Sequence, residues 1–319
     1  MNKILIIFLL ICTIIILPAN SQNEIQVGDY TSAQLAMNPG FAGSNGVFNV
    51  IALNRQQWVG FDGAPSTTVV GIDKEVKFCG NFHGLGAVVI HDQIGIFTTM
   101  YLNANYSYHI ELEKGLLGLG LKAGLVNVKL SPSGLTTAVG GSNDDYHQES
   151  DEAIPTSDDS GVGLDVGFGA FYQTPRSYLS ASVQHLNRPS PSFKEGCTVS
   201  IRPVMYLSGG RQFRLSGRKI TIEPRLLFKT DFSAFQVEAN TIATFNERVY
   251  AGLGYRYQEA LLMQCGVSLK NGLRIGYGYD LNISEAHAYN SGTHEISVGY
   301  LFNMDFEKRT KRYKSVRFL

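Results

Sequence analysis

Tyr101-Leu102-Asn103-Ala104-Asn105-Tyr106-Ser107-Tyr108-His109-Ile110-Glu111-Leu112 alternates without a break. The even positions carry Leu102, Ala104, Tyr106, Tyr108, Ile110 and Leu112, and the odd ones Tyr101, Asn103, Asn105, Ser107, His109 and Glu111. Successive side chains of a β-strand point to opposite faces, so this stretch is a strand with one apolar and one polar side. The same period recurs downstream. Val162 to Tyr172, Val249 to Tyr257, Leu273 to Leu281 and Ile296 to Phe306 each set Leu, Val, Phe or Tyr against Gly, Asp, Arg, Gln or Ser.

Working outward gives about fourteen such segments: 47–57, 66–76, 82–91, 98–111, 116–129, 161–173, 177–186, 200–213, 218–229, 233–245, 248–257, 261–269, 272–282 and 294–306, with 66–76 and 200–213 the least regular. Most exceed the length usual in soluble sheets and suit a tilted crossing of a bilayer. Alternation alone fits a β-sandwich or propeller equally well, because it says only that one face is apolar. The links separate the possibilities. Those after odd strands are long (58–65, 92–97, 130–160, 187–199 and 283–293), apart from 230–232 and 258–260. Those after even strands are tight, as at Glu113-Lys114-Gly115, Thr174-Pro175-Arg176, Asn246-Glu247 and Lys270-Asn271. Long loops at one rim and tight turns at the other predict an all-β, transmembrane, antiparallel up-and-down barrel in a bacterial outer membrane, with both termini periplasmic.

The first residues agree with that compartment. Met1-Asn2-Lys3 leads into an apolar run, Ile4 to Leu17, followed by Pro18-Ala19-Asn20-Ser21. The run is too short to span and ends at small residues, which predicts a signal peptide over 1–21. Residues 22–45 are rich in turn formers and small residues, and are expected to line or plug the lumen. The barrel proper is assigned to 46–306 and a basic periplasmic tail to 307–319.

Composition excludes several classes. Beyond the leader, 26 basic side chains face 27 acidic ones, which argues against nucleic acid as the main partner. Cys79, Cys197 and Cys265 cannot form a disulfide-dense scaffold. The seven histidines are scattered, without the spacing of a metal site. Gly118-Leu119-Gly120 and Gly252-Leu253-Gly254 lie inside strands with no following helix, so they do not read as a nucleotide loop and instead thin the lumen-facing wall or let the sheet bend. His294-Glu295 reads as a polar pair at a strand start. The acidic loop 130–160 lacks the regular spacing of a calcium loop. No catalytic residues, cofactor or metal ligands are assigned, and the chain is not expected to be an enzyme.

Two longer runs carry a resemblance. Met37-Asn38-Pro39-Gly40-Phe41-Ala42-Gly43-Ser44 and Arg55-Gln56-Gln57-Trp58-Val59-Gly60-Phe61-Asp62-Gly63-Ala64-Pro65-Ser66 resemble the "NPAYAGS" and "RxQWxGFDGAPxT" motifs of the PorP/SprF family of type IX secretion-system membrane proteins. His91-Asp92-Gln93-Ile94-Gly95 and Gly292-Thr293-His294-Glu295-Ile296 match further family positions in order; Gly40-Phe41 replaces the usual Ala-Tyr. The resemblance implies a barrel of the fatty-acid-channel type that works with the type IX machine, takes part in export or anchoring of secreted surface proteins such as gliding adhesins, and engages the cargo's C-terminal signal domain.

The candidate partner-binding residues are Trp58, Gly60, Phe61, Asp62, Gly63 and Pro65 in the first loop, with Asn38 and Pro39 in the N-terminal segment. Trp58 and Phe61 at a rim would supply an aromatic anchor, while Asp62 to Pro65 also suits a plain turn. The alternative is a passive transporter of small apolar molecules with segment 22–45 as its gate. A lumen face rich in Gly, Asn, Ser, Gln and Arg fits that alternative poorly.

Overall fold

The computed structural model describes residues 25–131, 158–193, 198–215, 219–283 and 291–302. The expected leader 1–21, most of the acidic loop and the basic tail 307–319 lie outside the described residues. The strands are β1 (Phe48–Gln56), β2 (Ser66–Phe78), β3 (Asn81–Ile94), β4 (Phe97–Leu112), β5 (Gly115–Leu130), β6 (Asp159–Gln173), β7 (Ser177–Gln184) and β8 (Val204–Arg211). They continue as β9 (Phe213–Arg214), β10 (Ile220–Thr230), β11 (Phe235–Phe245), β12 (Val249–Arg256), β13 (Ala260–Ser268), β14 (Leu273–Asn282) and β15 (Thr293–Phe302).

Every neighbouring pair is antiparallel and follows chain order, and β15 returns to β1 through a register running from Phe48↔Phe302 to Gln56↔His294. That pairing closes the sheet and leaves no strand without a neighbour on either side. The two-residue β9 continues β8 past Gln212 and pairs with β10, leaving fourteen full strands in the closed wall. The segments read from alternation correspond to these strands one for one.

Two links differ from the reading. The expected 92–97 loop shrinks to Gly95-Ile96, because β3 runs to Ile94 and β4 starts at Phe97, with Gly95 supplying the positive φ of the turn. The link after β7 is longer than expected, 185–203, and β8 starts late at Val204. His185 and Arg188 adopt positive φ there, and Pro189, Pro191 and Pro203 lack the N–H a ladder needs.

Leu102, Leu121, Leu164, Leu179, Leu253 and Ile296 are exposed on the outer wall, while Asn103, Asn105, Ser107, Asp165, Arg256 and Glu295 are buried in the lumen. An apolar exterior around a polar interior is the arrangement lipid demands. Strand β1 is mixed: Ile51 and Leu53 face inward beside Asn49 and Arg55, with Asn54 and Gln56 outward. The N-terminal segment explains the inward apolar pair. Ala33 and Leu35 join Leu53, Val69, Val88 and Ile90 in one buried apolar cluster, so on this side the lumen has a small hydrophobic core of its own.

Candidate functional site

Residues 25–45 enter the lumen as an irregular chain with one helical turn, α1 (Gln34–Met37), and a 3-10 turn, Pro39–Phe41. Asn38 caps the second turn, its Oδ1 accepting from Gly40 N at 2.8 Å, and Pro39 at the first position supplies the fixed φ a turn start favours. Almost every residue of the segment is buried.

One side of the lumen receives this turn through missing side chains. A Cβ at Gly118 would lie 2.2 Å from Gly40 O, one at Gly120 2.2 Å from Gly40 N, and one at Gly169 2.0 Å from Asn38 Oδ1. The backbone of the turn therefore lies directly on β5 and β6, and any larger residue would displace it. Side chains of β4 to β7 then satisfy its polar groups. Asn38 Nδ2 donates to Ala170 O at 2.9 Å and Ser180 Oγ at 2.8 Å. Ser107 Oγ donates to Gly40 O at 3.1 Å, and Gln184 Nε2 and Ser182 Oγ both donate to Met37 O at 2.6 Å. Gln173 Nε2 donates to Ser44 O at 2.6 Å.

The other side holds residues 26–32 by charge. The Glu295 carboxylate on β15 accepts the backbone N–H groups of Gly28 and Asp29, each at 2.7 Å, and the Arg55 guanidinium at 3.3 Å. Arg55 also meets Asp280 at 2.6 Å; Arg256 joins Asp280 at 2.9 Å to Glu238 at 2.8 Å. Asp29 lies 3.5 Å from Arg274 and 3.8 Å from Arg225, and it accepts from the hydroxyls of Thr31 and Ser32. Burial pushes the Asp29 carboxyl up, but the two guanidiniums and two hydroxyls more than reverse that, holding it well below the ordinary carboxylate range. Because the network is desolvated, each charge depends on its partners being present.

The third element is the rim loop between β1 and β2. Trp58 and Phe61 are 37% and 54% exposed, and Val59 is similarly open. The loop is nonetheless fixed. Val59 N donates to Gly292 O at 2.9 Å and Ser291 N to Val59 O at 2.8 Å, tying it to the start of β15. Gly95 N donates to Gly63 O at 2.9 Å, tying it to the β3–β4 turn, and Phe61 N donates to Trp58 O at 3.0 Å across a tight turn. Gly60 and Gly63 sit at positive φ, which the turn geometry requires. The expectation of a turn at Asp62 to Pro65 and that of exposed aromatics describe the same loop.

Trp58, Gly60, Phe61, Asp62 and Gly63 are thus exposed together at one rim, whereas Pro65 is buried at its foot. Asn38 and Pro39 are not brought to them. Both are buried in the lumen, where they hold the segment to the wall and have no surface to offer a partner. Glu295 is the residue the sequence reading passed over. It and His294 point to opposite faces of β15: His294 meets Tyr277 outside at 2.7 Å, and Glu295 binds the segment inside. Its inward parity was visible in the alternation, but its partner lies 267 residues away in sequence.

The crystal structure of the Ralstonia pickettii toluene transporter TbuX is similar over 86% of this chain and 94% of its own, with TM-score 0.51 and 10% identity. The Acinetobacter baumannii outer membrane protein Omp33 is similar over 82% and 100%, with TM-score 0.46 and 7% identity. At such identities the likeness concerns the fold, an outer-membrane barrel. No curated protein matches the chain. The family described as type IX secretion system membrane protein PorP/SprF matches residues 19–300.

Proposed function

This chain belongs to the PorP/SprF family of type IX secretion system membrane proteins, and from that premise we propose that it is a binding barrel that helps export or anchor a secreted protein by holding that protein's C-terminal signal domain at the rim formed by Trp58 to Pro65. The observation that carries this reading is an aromatic pair left uncovered by the rest of the chain on a loop pinned on both flanks through backbone hydrogen bonds. Exposed aromatic side chains on a fixed backbone lose little freedom on binding, which is what dominant interface residues share.

In this reading both termini face the periplasm, where they meet other components of the secretion machine, and the rim loop faces the outside. The N-terminal segment keeps the lumen shut, so the barrel serves as a docking platform in the outer membrane and not as a conduit. The fold and family are those of a membrane barrel component, not of an enzyme class.

The double variant Trp58→Ala/Phe61→Ala tests the assignment. The barrel is expected to assemble as before, shown by unchanged heat-modifiable migration, while the secreted protein no longer co-purifies with it from outer membranes. Undiminished co-purification would defeat the assignment. The competing reading, passive passage of small apolar molecules, predicts conductance or lumenal lipid in the purified chain; a silent, lipid-free barrel is expected here.

A further inference from the structure

Strand β6 has a neighbour along its whole length on one side only. Toward β5 it pairs from Asp159 to Gln173, whereas toward β7 it pairs only from Phe168 to Gln173. The chain that would continue β7 turns away. His185 adopts a positive φ, and the following residues cross on the lumenal side of β6, where Pro189 and Pro191 lie against Gly163 and Gly161. Prolines there cannot supply ladder N–H groups.

The first residues past the departure show what the edge accepts. Leu186 N donates to Val166 O at 2.9 Å, and the Asn187 side-chain amide imitates one more peptide unit, with its Nδ2 donating to Leu164 O at 2.7 Å and its Oδ1 accepting from Val166 N at 3.1 Å. Backbone groups alternate sides along a strand, so Leu164 N and both backbone groups of Val162 face the same vacated line. Among the described residues none of these forms a backbone hydrogen bond on that side. Outward from this line stand Val162 and Leu164, 60% and 69% exposed and among the most open apolar side chains of the wall. Strand β2 also runs past its neighbour, from Lys74 to Phe78 on the β1 side, but there Lys74, Glu75 and Lys77 put charges along the line.

The geometry points to a strand-addition site: the edge of β6 from Ser160 to Leu164 receives an extended segment of a partner protein, which pairs its backbone with Val162 and Leu164. The partner's chemistry follows from the two faces of the line. Its outward side chains are apolar, to cover Val162 and Leu164. Its inward ones are small, because Pro189, Pro191 and Ser192 already occupy the lumenal side. Backbone bonds give such a site its affinity and the alternate side chains its selectivity. The site uses no residue of the rim loop, so it stands or falls separately from the docking proposed there.

The test uses the full chain in detergent micelles, with a synthetic peptide of alternating valine and threonine and a proline-interrupted version as probes. Amide exchange at Val162 and Leu164 is expected to be fast alone, to slow about tenfold or more with the alternating peptide, and to stay fast with the interrupted one. Val162→Pro removes an N–H that faces only the vacated line, and is expected to abolish the protection while the Gly163 amide, which faces β5, stays protected. Leu164→Arg places a charge on the outward flank and is expected to weaken the peptide without touching the ladder. Protection of Val162 and Leu164 in the peptide-free chain would show that the chain covers its own edge and would overturn the proposal. Equal exchange with and without the alternating peptide would also overturn it.

Discussion

The lumen grips one short segment with two unlike walls. Around β5 and β6 the seat is made by absent side chains: Gly118, Gly120 and Gly169 let the Asn38–Gly40 turn lie on the strands themselves. Around β10 to β15 and β1 the seat is made by Arg55, Arg225, Arg256 and Arg274 against Asp29, Glu238, Asp280 and Glu295. At the Asn38–Gly40 turn the first wall acts through shape and neutral hydrogen bonds, so salt and pH hardly touch it there; only beyond the turn do titratable groups join, Asp73 accepting from Gly43 N and His109 meeting Ala42 O. The second acts through desolvated charges whose worth depends on every partner staying in place. A segment held in both ways stays anchored by its turn even when its charged half is disturbed.

That contrast can be broken most severely from the charged side. Arg256 bridges Glu238 and Asp280, and Arg256→Ala strands the buried Glu238 carboxylate and leaves Asp280 with Arg55 alone. A loss of about 3–5 kcal/mol is expected, read as a lower temperature for the heat-modifiable transition. A change no larger than that of an exposed outer-wall substitution such as Leu253→Ala would mean that water already screens the network.

The glycine wall should respond less in energy and more specifically. Gly120→Val drives a side chain into the Pro39–Gly40 backbone, and overpacking of this kind costs about 1–3 kcal/mol. The barrel is expected to persist while residues 25–45 become open to protease. Continued protection of the segment would show that the turn is not what seats it.

Acid sharpens the comparison with the smallest effect. The Asp29 carboxyl is held below its ordinary range, so its contribution is present above the unfolded-state pKa and fades only as pH falls through the lowered folded value. The share of the protection of residues 29–32 that Asp29→Asn removes is therefore expected to be unchanged through mildly acidic pH and to be lost only in strong acid, with residues 38–40 remaining protected. Loss of that share near neutral pH, or opening of residues 38–40 together with it, would contradict the role given to the Asp29 contacts.

How much of this was legible beforehand follows from what each signal depends on. The alternation at Tyr101 to Leu112 was reliable because lipid outside and polar lumen inside impose it on most of the wall. It did not extend to β1, where Ile51 and Leu53 face inward and Leu53 joins Leu35 in one buried cluster, a contact no single strand reveals. The rim loop was legible as a motif, and its exposure agrees with its place between two strands. Asn38 and Pro39 were grouped with it on motif grounds, but burial assigns them a different task. Glu295 was taken for half of a polar pair because His294 stands beside it in sequence and on the opposite face in space.

The sequence alone determined the number of strands, the faces most of them show and most of the turns between them, since period-two alternation and turn residues are properties of a single strand and its ends. Only the closed structure decided which inward residues meet. Joining β15 to β1 carries Glu295 to Gly28, fixes which arginine answers which carboxylate, and leaves β6 without a neighbour where β7 turns inward. Register and closure are set by all the strands together, and no local pattern encodes them.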